Sequence, residues 1–137
     1  MIKDMWLNLP VKDVPRSRKF YQDIGFKINE KYDHGNTSAS LMVGEKEVIV
    51  MLFDEKIFQS FTKNKVVSDP DYSEIIISFS TETRAAVDAM AEKVRATGAK
   101  LYQEPTEMQG WMYGFAFTDP DGHKWNMLYM DMSKMPG

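Results

Sequence analysis

The chain has 137 residues, with 43% apolar, 12% aromatic and no cysteine. That is enough apolar material for one buried core, and it excludes a disordered chain, a disulfide framework and thiolate chemistry. With 17 basic against 20 acidic residues and a net charge of -3, nothing draws the protein generally to nucleic acid or to anionic membranes. From the N-terminus, Met5 to Val11 alternates, with Leu7, Leu9 and Val11 on one face and Trp6, Asn8 and Pro10 on the other. This predicts a strand. Asp13 can cap a helix near 14–24 that carries Pro15 in its first turn, a stripe of Val14, Phe20, Tyr21 and Ile24, and Gly25 as its stop. Three further strands are predicted over 26–31, 37–43 and 47–53. A short helix over 55–61 and a polar connection over 62–71 follow.

The second half repeats the first. A strand over 72–80 sets Ile75, Ile77 and Phe79 against Glu74, Ile76 and Ser78. A helix near 82–97 has a stripe of Ala86, Val87, Met90 and Val94, and ends at Gly98. A short strand over 99–102 comes next. The strands 111–118 and 123–130 then flank the turn Asp119-Pro120-Asp121-Gly122. A strand over 103–108 is disfavoured by Pro105. The expected organisation is a single domain over 1–137, with one unit about 1–54, a linker about 55–71 and a second unit about 72–131. No stretch is apolar for long enough to span a membrane. The cysteine-free composition and the early acid at the N-terminus make the cytoplasm the expected location.

Two motifs carry a resemblance. The first is Asn8-Leu9-Pro10-Val11-Lys12-Asp13, with Ser17, Phe20-Tyr21 and Gly25-Phe26. The second is Gly98-Ala99, then Phe117-Thr118-Asp119-Pro120-Asp121-Gly122-His123-Lys124-Trp125. Together they resemble the vicinal oxygen chelate superfamily of glyoxalase I, bleomycin-resistance proteins, fosfomycin-resistance enzymes and extradiol dioxygenases. The resemblance implies an α+β fold of paired βαβββ units, forming a curved eight-stranded mixed sheet, or cup, with helices on the outer face and the ligand inside. It also implies four inward positions where metal-dependent members hold their ion. These fall on Trp6, on or beside Met51, on Glu74 and on Asn126. One indole, one thioether, one carboxylate and one amide make a poor transition-metal site, so no metal and no cofactor are expected.

Alternation places Trp6 and Asn8 in the cup from the first strand, and Glu74, Ile76 and Ser78 from the fifth. A two-residue turn at Pro120-Asp121 pairs Phe115 with Asn126 and brings Trp111, Tyr113, Phe115 and Phe117 to the same side, although a bulge reverses this. The expected ligand-binding residues are therefore Trp6, Asn8, Met51, Glu74, Ile76 and Ser78, with Trp111, Tyr113, Phe115 and Asn126 opposite. Each has a plainer reading. The aromatics and methionines serve equally as core. Glu74 serves equally at a strand end or in an ion pair, and His34 and His123 are solvated turn residues. The favoured function is binding of a small aromatic or amphipathic molecule without a metal, by a homodimer. The alternative is a lyase, isomerase or dioxygenase of the same superfamily, with Glu74 as its catalytic residue or with a divalent metal. A partner-binding domain with a filled cup is the third reading.

Overall fold

The structure, a computed structural model, describes residues 1–67 and 69–137. It divides into two compact units, Met1–Asp69 and Pro70–Gly137. Each contains a four-stranded mixed sheet, and the fold class is α+β.

In the first unit, β1 (Leu7–Val11) leads to α1 (Val14–Asp23), then β2 (Lys27–Ile28), β3 (Ser38–Val43), β4 (Val48–Asp54) and α2 (Glu55–Thr62). The sheet order is β1-β4-β3-β2, with β1 parallel to β4 and the other pairs antiparallel. The helix starts where the sequence requires, because the Asp13 carboxylate accepts from the Arg16 N–H and Pro15 needs no donor in the first turn. Leu9 and Val11 of β1, Val50 and Leu52 of β4 and Ala39 and Leu41 of β3 are buried. They share one sheet face with one another, and α1 contributes Val14, Phe20, Tyr21 and Ile24 to the same core. The predicted strand over 26–31 is cut to two residues. Asn29 caps a 3-10 turn at Glu30–Tyr32 instead, its side chain accepting from the Lys31 N–H.

Arg18, on α1, ties down the loop that follows. Its Nη2 donates to Asp33 Oδ1 at 2.5 Å and to the Gly35 carbonyl at 2.6 Å. Arg18→Ala is expected to lower the unfolding free energy in urea by about 1–3 kcal/mol, because charge-assisted bonds from a part-buried guanidinium are lost. An unchanged midpoint would contradict this role.

The second unit repeats the order: β5 (Ile76–Thr81), α3 (Arg84–Ala96), β6 (Leu101–Met108), β7 (Met112–Thr118) and β8 (Lys124–Met130). Its sheet order is β5-β8-β7-β6, again with the first pair parallel. Thr83 caps α3 by accepting from the Ala86 N–H. Ile77, Trp125 and Phe117 stand in one row, and Phe79, Met127 and Phe115 in the next. Both rows are on the α3 side, where Val87, Ala91 and Val94 are buried. Trp125 stacks on Phe117 at 6.4 Å and 9° between planes.

Two expectations change here. A strand does run through 103–108. Pro105 is tolerated because β6 is an edge strand and its ladder shifts register between Leu101 and Gln103 and again between Gln103 and Thr106. The fifth strand starts at Ile76 and not at Tyr72, so Glu74 and Ile75 precede the ladder.

Candidate functional site

The side chains on the sheet faces opposite α1 and α3 make the candidate binding surfaces, and each unit is described by itself. In the first unit, Asn8, Met51 and Ser40 form one row across β1, β4 and β3. Asn8 is exposed, Met51 half-buried and Ser40 fully buried. The Ser40 hydroxyl has no hydrogen-bond partner among the described residues. Phe53, on the same face as Met51, meets Phe61 of α2 edge-on at 5.0 Å. Trp6 lies just before the ladder and is 54% exposed, as suits a residue facing away from the core.

In the second unit the equivalent row is Ser78, Asn126 and Ala116. Ser78 is exposed, and the Asn126 side-chain oxygen is buried without a partner among the described residues. One row towards the strand start stand Ile76, Lys124 and Thr118. Lys124 Nζ lies 5.8 Å above the Tyr102 ring and donates to the Gly122 carbonyl. Burial raises the Tyr102 phenol above its ordinary pKa. Ser73, Glu74, Ile75, Ile76, Tyr102 and Lys124 line an open groove of about 370 Å³ within this unit.

The expected aromatic wall is on the other side. Phe115 pairs with Met127, and Asn126 pairs with Ala116. Tyr113 and Phe115 therefore face α3, where the Tyr113 hydroxyl donates to Asp88 at 2.7 Å and Arg84 lies over the Tyr113 and Tyr129 rings. Phe117 is buried on that side too. Trp111 sits in the β6–β7 turn, half-buried, with its indole N–H unpartnered among the described residues. The reversal comes from one residue of loop length. The hairpin closes at Thr118 and Lys124, leaving the five residues 119–123 outside the ladder. Asp119 organises that loop by accepting from the Asp121 and His123 N–H groups, each at 2.9 Å, while Gly122 adopts φ 90°. An odd loop moves every following side chain to the opposite face from that given by a two-residue turn.

The register also corrects the fifth-strand position. Trp6 precedes the α1 cap Asp13 by seven residues, and Ile76 precedes the α3 cap Thr83 by seven. Ile76 is thus the counterpart of Trp6. Glu74 lies two residues earlier, exposed, in a bend outside the sheet. The partly dry, mid-strand setting expected for it is absent.

The family model for the Glyoxalase/Bleomycin resistance protein/Dioxygenase superfamily matches residues 5–127. The chain belongs to this superfamily. Solved structures share this fold. The hypothetical protein SA1046 from S. aureus shares 36% identity over 94% of each chain, with a TM-score of 0.82. A glyoxalase/bleomycin resistance protein/dioxygenase family enzyme from Burkholderia phytofirmans PsJN has 19% identity, covering 93% of this chain and 99% of that one, with a TM-score of 0.76. The fosfomycin resistance protein FosX from Listeria monocytogenes, complexed with Mn(II) and sulfate, has 18% identity, covering 95% and 92%, with a TM-score of 0.69. No curated protein matches the sequence.

The metal that the superfamily implies does not fit this chain's residues. The positions that the resemblance implies fall on Trp6 and on or beside Met51 in the first unit, and on Ile76 by register and Asn126 in the second. In the first unit an indole and a thioether, and in the second an alkyl chain and an amide, offer neither imidazole nor carboxylate to a transition metal. Among the described residues, no group of three or more His, Asp or Glu is placed to hold a metal ion.

His123, beside these positions, belongs to the turn. Its Nδ1 is 2.7 Å from the buried Asp119 carboxylate. Burial lowers the imidazole pKa, but the hydrogen bond and charge of Asp119 outweigh it, so the net shift is upward. A raised folded pKa stabilises the protein fully below the unfolded value of about 6.5, and the gain is lost as pH rises through the folded value. The stability advantage of the wild type over His123→Gln should be largest in mild acid and shrink towards alkaline pH. A gap that is flat or grows with pH would contradict the pairing.

Proposed function

We propose that this superfamily member binds a small aromatic or amphipathic molecule on the sheet faces opposite α1 and α3, without a metal. The observation that carries the reading is that Trp6 and Met51 in the first unit, and Ile76 and Asn126 in the second, retain polar and apolar contact groups and lack imidazole and carboxylate. Asn8 and Ser78, exposed on these faces, supply the sparse orienting groups that a small-molecule site uses among apolar walls. Glu74 contributes as a ligand contact at the groove and not as a catalytic base, because it stands exposed outside the strand. The proposed state is a cytoplasmic homodimer, and light scattering at micromolar concentration should give twice the 15.8 kDa chain mass.

A thermal-shift panel of aromatic and amphipathic compounds, run with and without Zn²⁺, Ni²⁺, Mn²⁺ and Fe²⁺, tests the binding reading. A ligand at 100 times its Kd should add about 2.7 kcal/mol of stability with or without the ions. Stabilisation that appears only with a metal would overturn the reading.

A further inference from the structure

We propose that the groove of the second unit takes an amphoteric ligand, a small molecule with an ammonium group, a carboxylate and an apolar body. This rests on the small-molecule reading above and names its ligand class. Two opposite charges, Glu74 and Lys124, line one groove. Among the described residues neither forms an ion pair, with the other or with any third group. Lys124 is held in place without being neutralised, because its ammonium lies over the Tyr102 ring and donates to a carbonyl at 3.2 Å. It keeps donor capacity for an anion. Glu74 is exposed and free to accept from a cation.

Ile75 and Ile76 line the same groove, 54% and 51% exposed. Such side chains at the mouth of a groove suit an apolar ligand body. The volume of about 370 Å³ lies at the small end of ligand sites. A ligand with only one charge would leave either Glu74 or Lys124 unmatched as the groove loses water, and that mismatch is the basis of selection.

The test is isothermal titration of the full chain at low salt with L-phenylalanine and the dipeptide Phe-Gly, which hold their charges at different separations. Phenethylamine and 3-phenylpropionate, each with one charge, are the comparators. At least one amphoteric probe should bind about fivefold or more tightly than both comparators. Glu74→Gln should remove its advantage over 3-phenylpropionate, and Lys124→Gln its advantage over phenethylamine, with thermal unfolding reporting that each variant is folded. The comparison on the unmodified protein decides the matter even if a variant fails to fold. Equal binding of a comparator, no binding of either amphoteric probe, or folded variants that keep full selectivity would overturn the inference. Metal-independent binding of a compound that ignores both substitutions would leave the small-molecule reading standing and remove this ligand class.

Discussion

Trp125→Ala should destabilise the protein by about 3–5 kcal/mol, the largest loss expected from any single truncation in the chain. Trp125 is fully buried. It stacks on Phe117 and meets Phe79 edge-on at 6.0 Å. It also stands in the middle of the row Ile77, Trp125 and Phe117 beneath α3. Its removal opens a void between three strands and a helix, which backbone-paired strands cannot close. Urea unfolding followed by circular dichroism measures the loss. A cost below about 1 kcal/mol, the scale of a surface substitution, would mean that the row is not the core of the second unit.

Gly114→Ala is the second large effect. Gly114 pairs with Leu128 on the face opposite α3. A β-carbon there would clash with the Met127 carbonyl oxygen and come within 2.6 Å of a Leu128 methyl. The Leu128 methyl can rotate away, but the carbonyl belongs to the β7–β8 ladder and can move only with the strand. The expected cost is about 1–3 kcal/mol, as for overpacking. It should come with weakened amide protection at 126–130 in hydrogen exchange. A neutral or stabilising substitution would show that the two strands can separate locally without loss. Glycine here answers to close approach of the neighbouring strand and not to a special backbone angle.

Much of the fold was legible in particular residues. The alternation of Leu7, Leu9 and Val11 correctly gives the buried face of β1, and Asp13 gives the first helix cap. The short helix after Asp54 is present as α2. The three departures in the second unit have local causes. The run Glu74-Ile75-Ile76-Ile77-Ser78 keeps one parity throughout, so alternation alone says which face Glu74 shares but not where pairing begins. Asp119-Pro120-Asp121-Gly122 announces a turn but not its length, and the decisive contact is the Asp119 carboxylate reaching the His123 N–H, four residues on. The register shifts of β6 erase the period that would have revealed a strand through Pro105.

The candidate site was legible in part. Trp6, Asn8, Met51, Ile76, Ser78 and Asn126 stand on or just before strand positions on the faces opposite α1 and α3. Tyr113 and Phe115 do not, for the reason of loop length. Ser40 went unnoticed because a serine in a mixed strand carries no signal until its row mates, Asn8 and Met51, are known. Tyr102 and Lys124 were equally silent. They meet across the sheet through the irregular edge strand, which periodicity does not describe.

Elemental analysis of the purified protein, expressed in medium supplemented with zinc, nickel, manganese and iron and then dialysed, tests the metal-free account most directly. Trp6 and Met51 in the first unit, with Ile76 and Asn126 in the second, predict far less than one transition-metal ion per chain, unchanged by Glu74→Gln or Asn126→Ala. One tightly held ion per chain, lost on either substitution, would contradict it.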